Sequence, residues 1–245
     1  MISIILAAGQ GTRMRPLSYV IPKVLLPVRG KPVLNYLIEN MKDLNINGIY
    51  VVASDHVEAI QTYIEKTGMD NVSVVHGLGW ETGGDLSIAL EIINKEEDTI
   101  VMNGDIVTDI SIKGMYEDHL KNKPYVTMGI FNLDNKEEIK RFGRINIDEK
   151  NMITNFAEKS ENFNLNSMLV NTGFYIFDKK IIEERKKYLV PKKFKIEKDL
   201  FPELSKQYKL HGSICNLSYW WDVGTMDSYL QAEHFFINNR NIIPP

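Results

Sequence analysis

The first hundred residues alternate short apolar runs with stretches in which apolar residues recur at helical spacing. Four apolar runs predict buried strands: Ile2–Leu6, Ile49–Ala53, Val72–Val75 and Ile100–Met102. Between them, the spacing predicts helices over Val33–Asp43, Val57–Lys66 and Leu86–Ile93, the last of them after a Gly83-Gly84 turn. Strands that alternate with helices in this way indicate an α/β fold with a largely parallel, doubly wound sheet.

After residue 120 the apolar runs become shorter and are interrupted by polar residues. They predict strands over Tyr125–Leu133, Arg144–Ile147, Ile153–Phe156, Thr172–Phe177, Ile214–Leu217 and Tyr219–Val223. Helices are predicted over Lys179–Tyr188, Asp199–Tyr208 and Met226–Phe236, with Thr225 as the N-cap of the last one. We expect one domain over residues 1–245, with one lobe over about 1–120 and a second, mixed-sheet lobe over about 121–240.

Composition narrows the classes of function. Of 245 residues, 44% are hydrophobic and 25% are charged, as in ordinary globular proteins, and the net charge of -3 disfavours general nucleic-acid binding. The single cysteine, Cys215, excludes an intramolecular disulfide, and the histidines lack metal-like spacing. With no apparent signal peptide or membrane span, we expect a cytoplasmic protein without membrane or nucleic-acid partners.

The segment Leu6–Leu17 follows the first predicted strand and contains two glycines and two arginines. Lys23 follows, and no acidic residue occurs before Glu39, so the turn can present backbone N–H groups and cations to a polyanion such as a triphosphate. Met14 stands where a dinucleotide fingerprint needs its third glycine, and the Gly-Lys-Ser/Thr of a Walker loop is absent.

Asp105 follows the fourth predicted strand directly. Ligands of doubly wound sheets bind at the carboxyl ends of the strands, so we expect Asp105 and the Leu6–Leu17 turn to share one edge of the sheet. A carboxylate there can bind Mg²⁺, which prefers oxygen ligands and bridges phosphates.

The run Leu6–Met14, with Pro22-Lys23 and Pro27 in step, resembles the signature of the sugar-1-phosphate nucleotidyltransferases, or NDP-sugar pyrophosphorylases. The resemblance extends from Leu6 to about Ala232. It implies a Rossmann-like doubly wound mixed sheet, the nucleotide-diphospho-sugar transferase fold, with a smaller sugar-binding lobe and no β-helix domain.

The resemblance also implies roles for individual residues. Arg13 would stabilise the leaving pyrophosphate and Lys23 the reacting phosphate, while Asp105 and Asp222 would bind Mg²⁺. The nucleotide-binding residues would be Leu6, Ala7, Ala8, Gly9, Gly11, Thr12, Thr82 and Gly83. Two acidic residues near these segments, Asp85 and Asp109, are not expected to bind the metal.

Three segments of the second half, Arg141–Ile145, Phe156–Lys159 and Asn171–Tyr175, resemble elements that contact the sugar phosphate in this family. The residues so implied are Gly143, Glu158, Lys159 and Asn171. A mainly structural role is expected for Lys195–Asp199, and the aromatic run Tyr219–Trp221 is expected in the core and between the lobes.

Two positions depart from the family pattern. Glu81 stands where glycine is usual and Asp85 where a small residue is common. A carboxylate here could accept hydrogen bonds from the exocyclic amine of guanine or cytosine, or it could face solvent, so the base remains open.

The predicted reaction is transfer of a nucleoside monophosphate from an NTP to a sugar 1-phosphate, giving an NDP-sugar and pyrophosphate by in-line attack on the α-phosphorus. The segment Met102–Asp109 looks most similar to hexose- or heptose-1-phosphate guanylyltransferases, followed by glucose-1-phosphate thymidylyl- or uridylyltransferases. The alternatives are a cytidylyltransferase acting on a sugar or non-sugar phosphate, a catalytically silent nucleotide-sugar-binding regulatory subunit and, disfavoured by Met14, a Rossmann oxidoreductase. Homo-oligomer formation stays open.

Overall fold

The computed structural model describes residues 1–133, 139, 142–157 and 167–239. In chain order the strands are β1 (Ile2–Leu6), β2 (Pro27–Val28), β3 (Lys31–Pro32), β4 (Ile49–Ala53), β5 (Val72–His76), β6 (Thr99–Asn103), β7 (Ile106–Thr108), β8 (Val126–Asn132), β9 (Arg144–Ile147), β10 (Ile153–Ala157), β11 (Leu169–Phe177), β12 (Leu210–Ile214) and β13 (Trp220–Asp222). The α-helices are α1 (Val33–Glu39), α2 (Val57–Thr67), α3 (Glu81–Ile93), α4 (Ile112–Asn122), α5 (Lys179–Glu183), α6 (Arg185–Tyr188), α7 (Phe201–Lys206) and α8 (Met226–Asn238).

One central sheet runs through the described part of the chain in the order β10-β9-β11-β6-β1-β4-β5, and β8 pairs with both β11 and β12. Strands β6, β1, β4 and β5 are parallel, whereas β11 is antiparallel to β6. The predicted α/β fold with a doubly wound mixed sheet is therefore confirmed.

The sheet separates two apolar cores. Neighbouring residues of β1 alternate between them, because Ile5 packs into the core that contains α1 and α8, and Ile4 packs into the core that contains α3 and α7. Burial on both faces explains why the parallel strands are nearly continuous apolar runs.

Several predicted boundaries differ from the structure. The Lys179–Tyr188 stretch forms two short helices, and the strand predicted at Ile214–Leu217 is instead β12, which ends at Ile214. Thr225 is confirmed as the N-cap of α8, where it forms a capping box with Ser228. None of the helices in the described ranges has the length and apolar character needed to cross a bilayer.

The largest difference concerns Gly83 and Gly84, which lie inside helix α3 rather than in a turn before it. A Cβ on Gly83 would lie 2.3 Å from the Phe194 ring, and one on Gly84 would lie 2.5 Å from the Lys192 carbonyl oxygen. These glycines therefore allow the 192–194 segment to approach the helix closely, a contact that sequence reasoning about turns does not anticipate.

Candidate functional site

A cleft of about 550 Å³ opens at the carboxyl ends of β1 and β6. It is lined by residues from both halves of the chain: Leu6, Ala7, Ala8, Gly9, Gln10, Gly11, Thr12, Arg13, Lys23, Gly79, Glu81, Thr82, Asp85, Asn103, Gly104, Asp105, Ile106, Phe142, Gly143, Asn171, Thr172, Gly173, Lys193, Lys195, Glu197, Trp220 and Asp222. Of the predicted site residues that the structure describes, Gly83 is the one that does not line this cleft; it lies behind its wall, against Phe194.

The conformation of the glycine loop after β1 depends on the backbone of Gly11 and on a hydrogen bond to it from Ser18. Gly11 has φ of 61°, in the left-handed region that glycine tolerates, and its carbonyl oxygen accepts a hydrogen bond from Ser18 Oγ at 2.8 Å. Beside it, the Gly104 N–H donates to the Leu6 carbonyl at 2.9 Å, and a Cβ at position 104 would lie 2.8 Å from that oxygen. Glycine at position 104 thus allows the turn after β6 to approach the loop after β1.

A small two-stranded sheet brings Asp105 and Asp222 together. Strand β7 directly follows the Asp105 turn and pairs antiparallel with β13, with Ile106 opposite Asp222. The Val223 N–H also donates to the Asp105 carbonyl oxygen at 2.9 Å. Pairing of these strands is what places two carboxylates, 117 residues apart in sequence, in one cleft.

Two cations face these carboxylates. Lys23 Nζ lies 3.4 Å from Asp105 Oδ2. The position that a Gly224 Cβ would take lies 2.6 Å from Asp222 Oδ1, 3.2 Å from Asp105 Oδ2 and 3.4 Å from Arg13 Nη2. Glycine at 224 therefore leaves open a point around which both carboxylates and the Arg13 guanidinium converge.

The pKa of Asp222 responds to several neighbours in the cleft. Burial raises the pKa of its carboxyl group, and the charge of Asp105 raises it further. The Gly224 N–H, which donates to Asp222 Oδ1 at 2.7 Å, lowers the pKa, as do Arg13 and Lys23. Two carboxylates that repel each other at a common focus are a natural arrangement for a hard divalent cation.

One wall of the cleft is built where the start of α3 meets the 192–197 segment. The Phe194 carbonyl accepts the Gly83 N–H at 3.0 Å. Thr82 Oγ1 donates to Glu197 Oε2 at 2.6 Å and accepts the Ile196 N–H at 3.2 Å. The stretch Lys195–Asp199 thus has the expected structural role, and Lys195 and Glu197 also line the cleft.

The two departures from the family pattern have different environments. The Asp85 carboxylate is buried and accepts the Leu78 N–H at 2.8 Å, so it orders the turn before α3; burial raises its pKa. Glu81 is in the left-handed region with φ of 64°, and its carboxylate lies 3.4 Å from Lys195 Nζ at the cleft. Glu81 therefore keeps a backbone conformation that glycine adopts more easily.

Asp109, the other acidic neighbour, has a different function in the fold. Its carboxylate accepts the Ser218 N–H at 3.0 Å and the Tyr219 N–H at 3.4 Å, and it does not line the cleft.

Another part of the cleft lining carries aromatic and amide side chains. Trp220 donates its Nε1–H to the Thr172 carbonyl at 2.9 Å and packs edge-on against Phe142 at 4.8 Å between ring centroids. Asn171 donates to the Tyr175 hydroxyl and accepts the Gly173 N–H at 2.8 Å, so its amide is already oriented. The predicted residues Glu158 and Lys159 lie outside the described residues.

Several cleft-lining residues were not assigned to the site from the sequence, among them Asn103, Lys193 and Trp220. Asn103 lines it with a buried Oδ1 that has no hydrogen-bond partner among the described residues, and Lys193 and Trp220 line it too. The basic run Lys192-Lys193-Phe194-Lys195 could have indicated an anion-binding segment. No local pattern distinguishes Asn103 or Trp220 from core residues.

Comparison with known proteins adds independent information. The family model described as nucleotidyl transferase matches residues 2–239. The chain is 32% identical over 243 residues to the bifunctional protein GlmU of Methanocaldococcus jannaschii, covering 98% of this chain and 55% of that protein. It is 26% identical over 252 residues to the mannose-1-phosphate guanylyltransferase of Mycobacterium tuberculosis, covering 99% of this chain and 66% of that protein. The chain thus spans little more than half to two thirds of the length of these relatives.

Two solved structures have the same fold over nearly the whole chain. HddC from Yersinia pseudotuberculosis is 28% identical, with a TM-score of 0.76 over 96% of this chain and 100% of that one. A Bacillus anthracis protein solved in complex with a sucrose is 23% identical, with a TM-score of 0.80 over 96% of this chain and 94% of that one.

Proposed function

The chain belongs to the nucleotidyl transferase family, and on that premise we propose that it transfers a nucleoside monophosphate from an NTP to a sugar 1-phosphate. A phosphate oxygen of the sugar phosphate attacks the α-phosphorus, the bond from that phosphorus to the bridging oxygen breaks, and pyrophosphate leaves with the bond's electron pair. The products are an NDP-sugar and pyrophosphate. The observation that carries this proposal is the convergence of Arg13, Lys23, Asp105 and Asp222 in one cleft.

The nucleophile needs no activation by a protein base, because a sugar phosphate is already an anion. The chain's task is to hold two anions that repel each other and to stabilise the charge that develops on the leaving group. Arg13 and Lys23 suit this task, since both reach the cleft beside the glycine loop. The backbone of Leu6–Thr12 would hold the nucleotide, together with Thr82.

Mg²⁺ is the proposed cofactor, and the residues present fit it. Asp105 and Asp222 would hold the ion, because their carboxylate oxygens face a common point. When bound, the ion would neutralise phosphate charge and orient the reacting groups. Lys23 by itself compensates part of the Asp105 charge.

The sugar phosphate would bind beside Gly143 and Asn171, which line the same cleft as the glycine loop. The resemblance to the family also implies Glu158 and Lys159 as sugar-phosphate ligands. The Phe142 and Trp220 rings offer an apolar surface of the kind on which a sugar ring can pack.

The single catalytic domain over residues 1–245 and the cytoplasmic location remain predictions.

Pyrophosphate release tests the proposal. Each of five NTPs is combined with a panel of sugar 1-phosphates in the presence of Mg²⁺, and release should depend on one matching pair. Asp105→Asn should reduce turnover by at least about 100-fold without loss of the fold, whereas retained turnover would exclude Asp105 as a metal ligand. Nucleotide-sugar binding without turnover of any pair would instead identify a silent binding subunit.

The same screen addresses the cytidylyltransferase alternative. Release with CTP and a non-sugar phosphate, but with no sugar 1-phosphate, would favour that activity over the one proposed here.

A further inference from the structure

A second cluster of charged side chains lies at the edge of the sheet opposite the cleft. Asp98 precedes β6 and Asp178 follows β11, and these strands are antiparallel with Phe177 opposite Thr99. The two aspartates therefore flank the same sheet edge, while Asp105 follows the other end of β6. The five residues of β6 separate the two sites by roughly 17 Å.

His119 of α4 points into this cluster from a buried position. The residue is 1% exposed, and its Nδ1 lies 2.8 Å from Thr127 Oγ1. Its Nε2 has no hydrogen-bond partner among the described residues, although it lies 3.6 Å from Asp178 Oδ2. His211 Nδ1 likewise lacks a partner among the described residues and lies 3.8 Å from Asp118 Oδ2, but His119 differs because a second carboxylate, Asp98, also lies in its cluster.

The two carboxylates are oriented by the start of α5. The Lys179 N–H donates to Asp98 Oδ1 at 2.9 Å, and the Lys180 N–H donates to Asp178 Oδ1 at 2.8 Å. The Tyr116 hydroxyl also donates to Asp98 Oδ2 at 3.0 Å. Backbone donors thus fix the position of each acid independently of His119.

The charge balance favours a cation. His119 has one ring nitrogen 2.8 Å from Thr127 Oγ1 and the other directed at Asp178 without a hydrogen-bond partner among the described residues. If Nδ1–H donates to Thr127, the Nε2 lone pair faces carboxylate oxygens, and the two repel each other unless a positive charge lies between them. Lys180 Nζ lies 3.5 Å from Asp178 Oδ2, but its side chain is 44% exposed and free to move outward.

We propose that Asp98, His119 and Asp178 bind a divalent transition-metal ion of the Zn²⁺ type. One ligand atom from each residue lies within 4.8 Å of the other two, so modest side-chain movement brings them to coordination distance. One imidazole nitrogen with carboxylate oxygens suits such an ion, and the Thr127 contact is the outer hydrogen bond that orients a ligating histidine. The ion would tie α4, β6 and the β11–α5 junction together as a structural centre, independently of the proposed transfer reaction.

The spacing of the histidines in the sequence gave no indication of this cluster. Its three ligands come from a strand entrance, a helix and a strand exit, which only the antiparallel pairing of β6 and β11 brings together.

Two measurements on the metal-free full chain test the proposal. Competition with a chromogenic chelator gives the affinity for Zn²⁺, and thermal unfolding with and without Zn²⁺ gives the change in stability. The comparison is between the wild type, His119→Gln and the matched control His211→Gln. His211 is equally buried and lies 3.8 Å from Asp118, but it belongs to no three-ligand cluster among the described residues. We expect the wild type and His211→Gln to bind one Zn²⁺ here and to unfold at higher temperature with it, and His119→Gln to lose at least about 10-fold in affinity and the thermal shift.

Co²⁺ provides a spectroscopic check, because its visible absorption bands should change in His119→Gln and not in the control His211→Gln, whose altered residue lies outside the cluster. If His119→Gln does not fold, Asp98→Asn replaces it, since the amide oxygen can still accept the Lys179 N–H while the ligand charge is lost. Zn²⁺ binding by His119→Gln, or by Asp98→Asn in its place, that equals wild-type binding would overturn the proposal. Absence of Zn²⁺ binding by the wild type would also overturn it.

Discussion

Replacement of Asp222 by asparagine should lower the activity of the protein and raise its stability. An asparagine side chain is nearly isosteric with aspartate, and its Oδ1 can still accept the Gly224 N–H, which donates to Asp222 Oδ1 at 2.7 Å. What the substitution removes is one of two carboxylates in the cleft. The Gly224 Cβ position lies 2.6 Å from Asp222 Oδ1 and 3.2 Å from Asp105 Oδ2, so the two charged groups approach each other closely.

The magnitude follows from these distances. The two oxygens are at most about 6 Å apart, and at an effective dielectric constant of about 20 two negative charges at that distance repel by about 3 kcal/mol. Arg13 and Lys23 offset part of this repulsion. We therefore expect Asp222→Asn to raise the free energy of unfolding of the metal-free protein by about 1–2 kcal/mol, and to reduce turnover by at least about 100-fold.

Denaturant unfolding in EDTA measures the stability change, and pyrophosphate release measures turnover. Asp109→Asn is the control, because Asp109 accepts backbone N–H groups away from the cleft. It should leave turnover within about twofold of wild type and should not stabilise the fold. An Asp222→Asn protein that is less stable than wild type and fully active would refute the reasoning, because Asp222 would then be a structural acid.

Two further predictions concern packing and pH. Gly83→Ala should destabilise the protein by about 1–3 kcal/mol in denaturant unfolding, because its Cβ would lie 2.3 Å from the Phe194 ring. The control Gly114→Ala, on the exposed side of α4, should change stability by less than about 1 kcal/mol. Equal effects of the two substitutions would contradict the close contact at Gly83. Burial lowers the pKa of His211 in the folded state, despite Asp118, so below about pH 6.5 the unfolded chain takes up a proton that the folded chain does not. Stability should therefore fall as the pH falls from about 6.5, and His211→Gln should reduce that slope by up to about 1.4 kcal/mol per pH unit; an unchanged slope would show that His211 titrates normally in the fold.

The parallel half of the fold could be predicted from the sequence because its strands are buried on both faces. Ile2–Leu6 and Ile49–Ala53 were predicted with the bounds that the structure has. Burial on both faces leaves an uninterrupted apolar run, which is a local signal. In the antiparallel half, Arg144–Ile147 was also predicted with the bounds of β9, but β7, which has only three residues, was not predicted and β12 was placed too late in the chain.

The glycine pair of α3 illustrates a failure with a physical cause. Two adjacent glycines favour a turn when judged by local propensity. In the fold, Gly83 and Gly84 instead continue a helix, because Phe194 and the Lys192 carbonyl, more than a hundred residues later, occupy the space that side chains would fill. Tertiary packing overrides local preference at this position.

The sequence by itself determined the chemistry that the chain offers: a glycine loop with Arg13 and Lys23 after a buried strand, and Asp105 after another. Both lie at one sheet edge because parallel strands end on the same side. Only the tertiary structure decided which distant residues join them. The pairing of β7 with β13 brings Asp222 to Asp105, and the pairing of β6 with β11 brings Asp178 to Asp98. Strand partners are chosen by contacts between segments far apart in the chain, and no local pattern of residues records that choice.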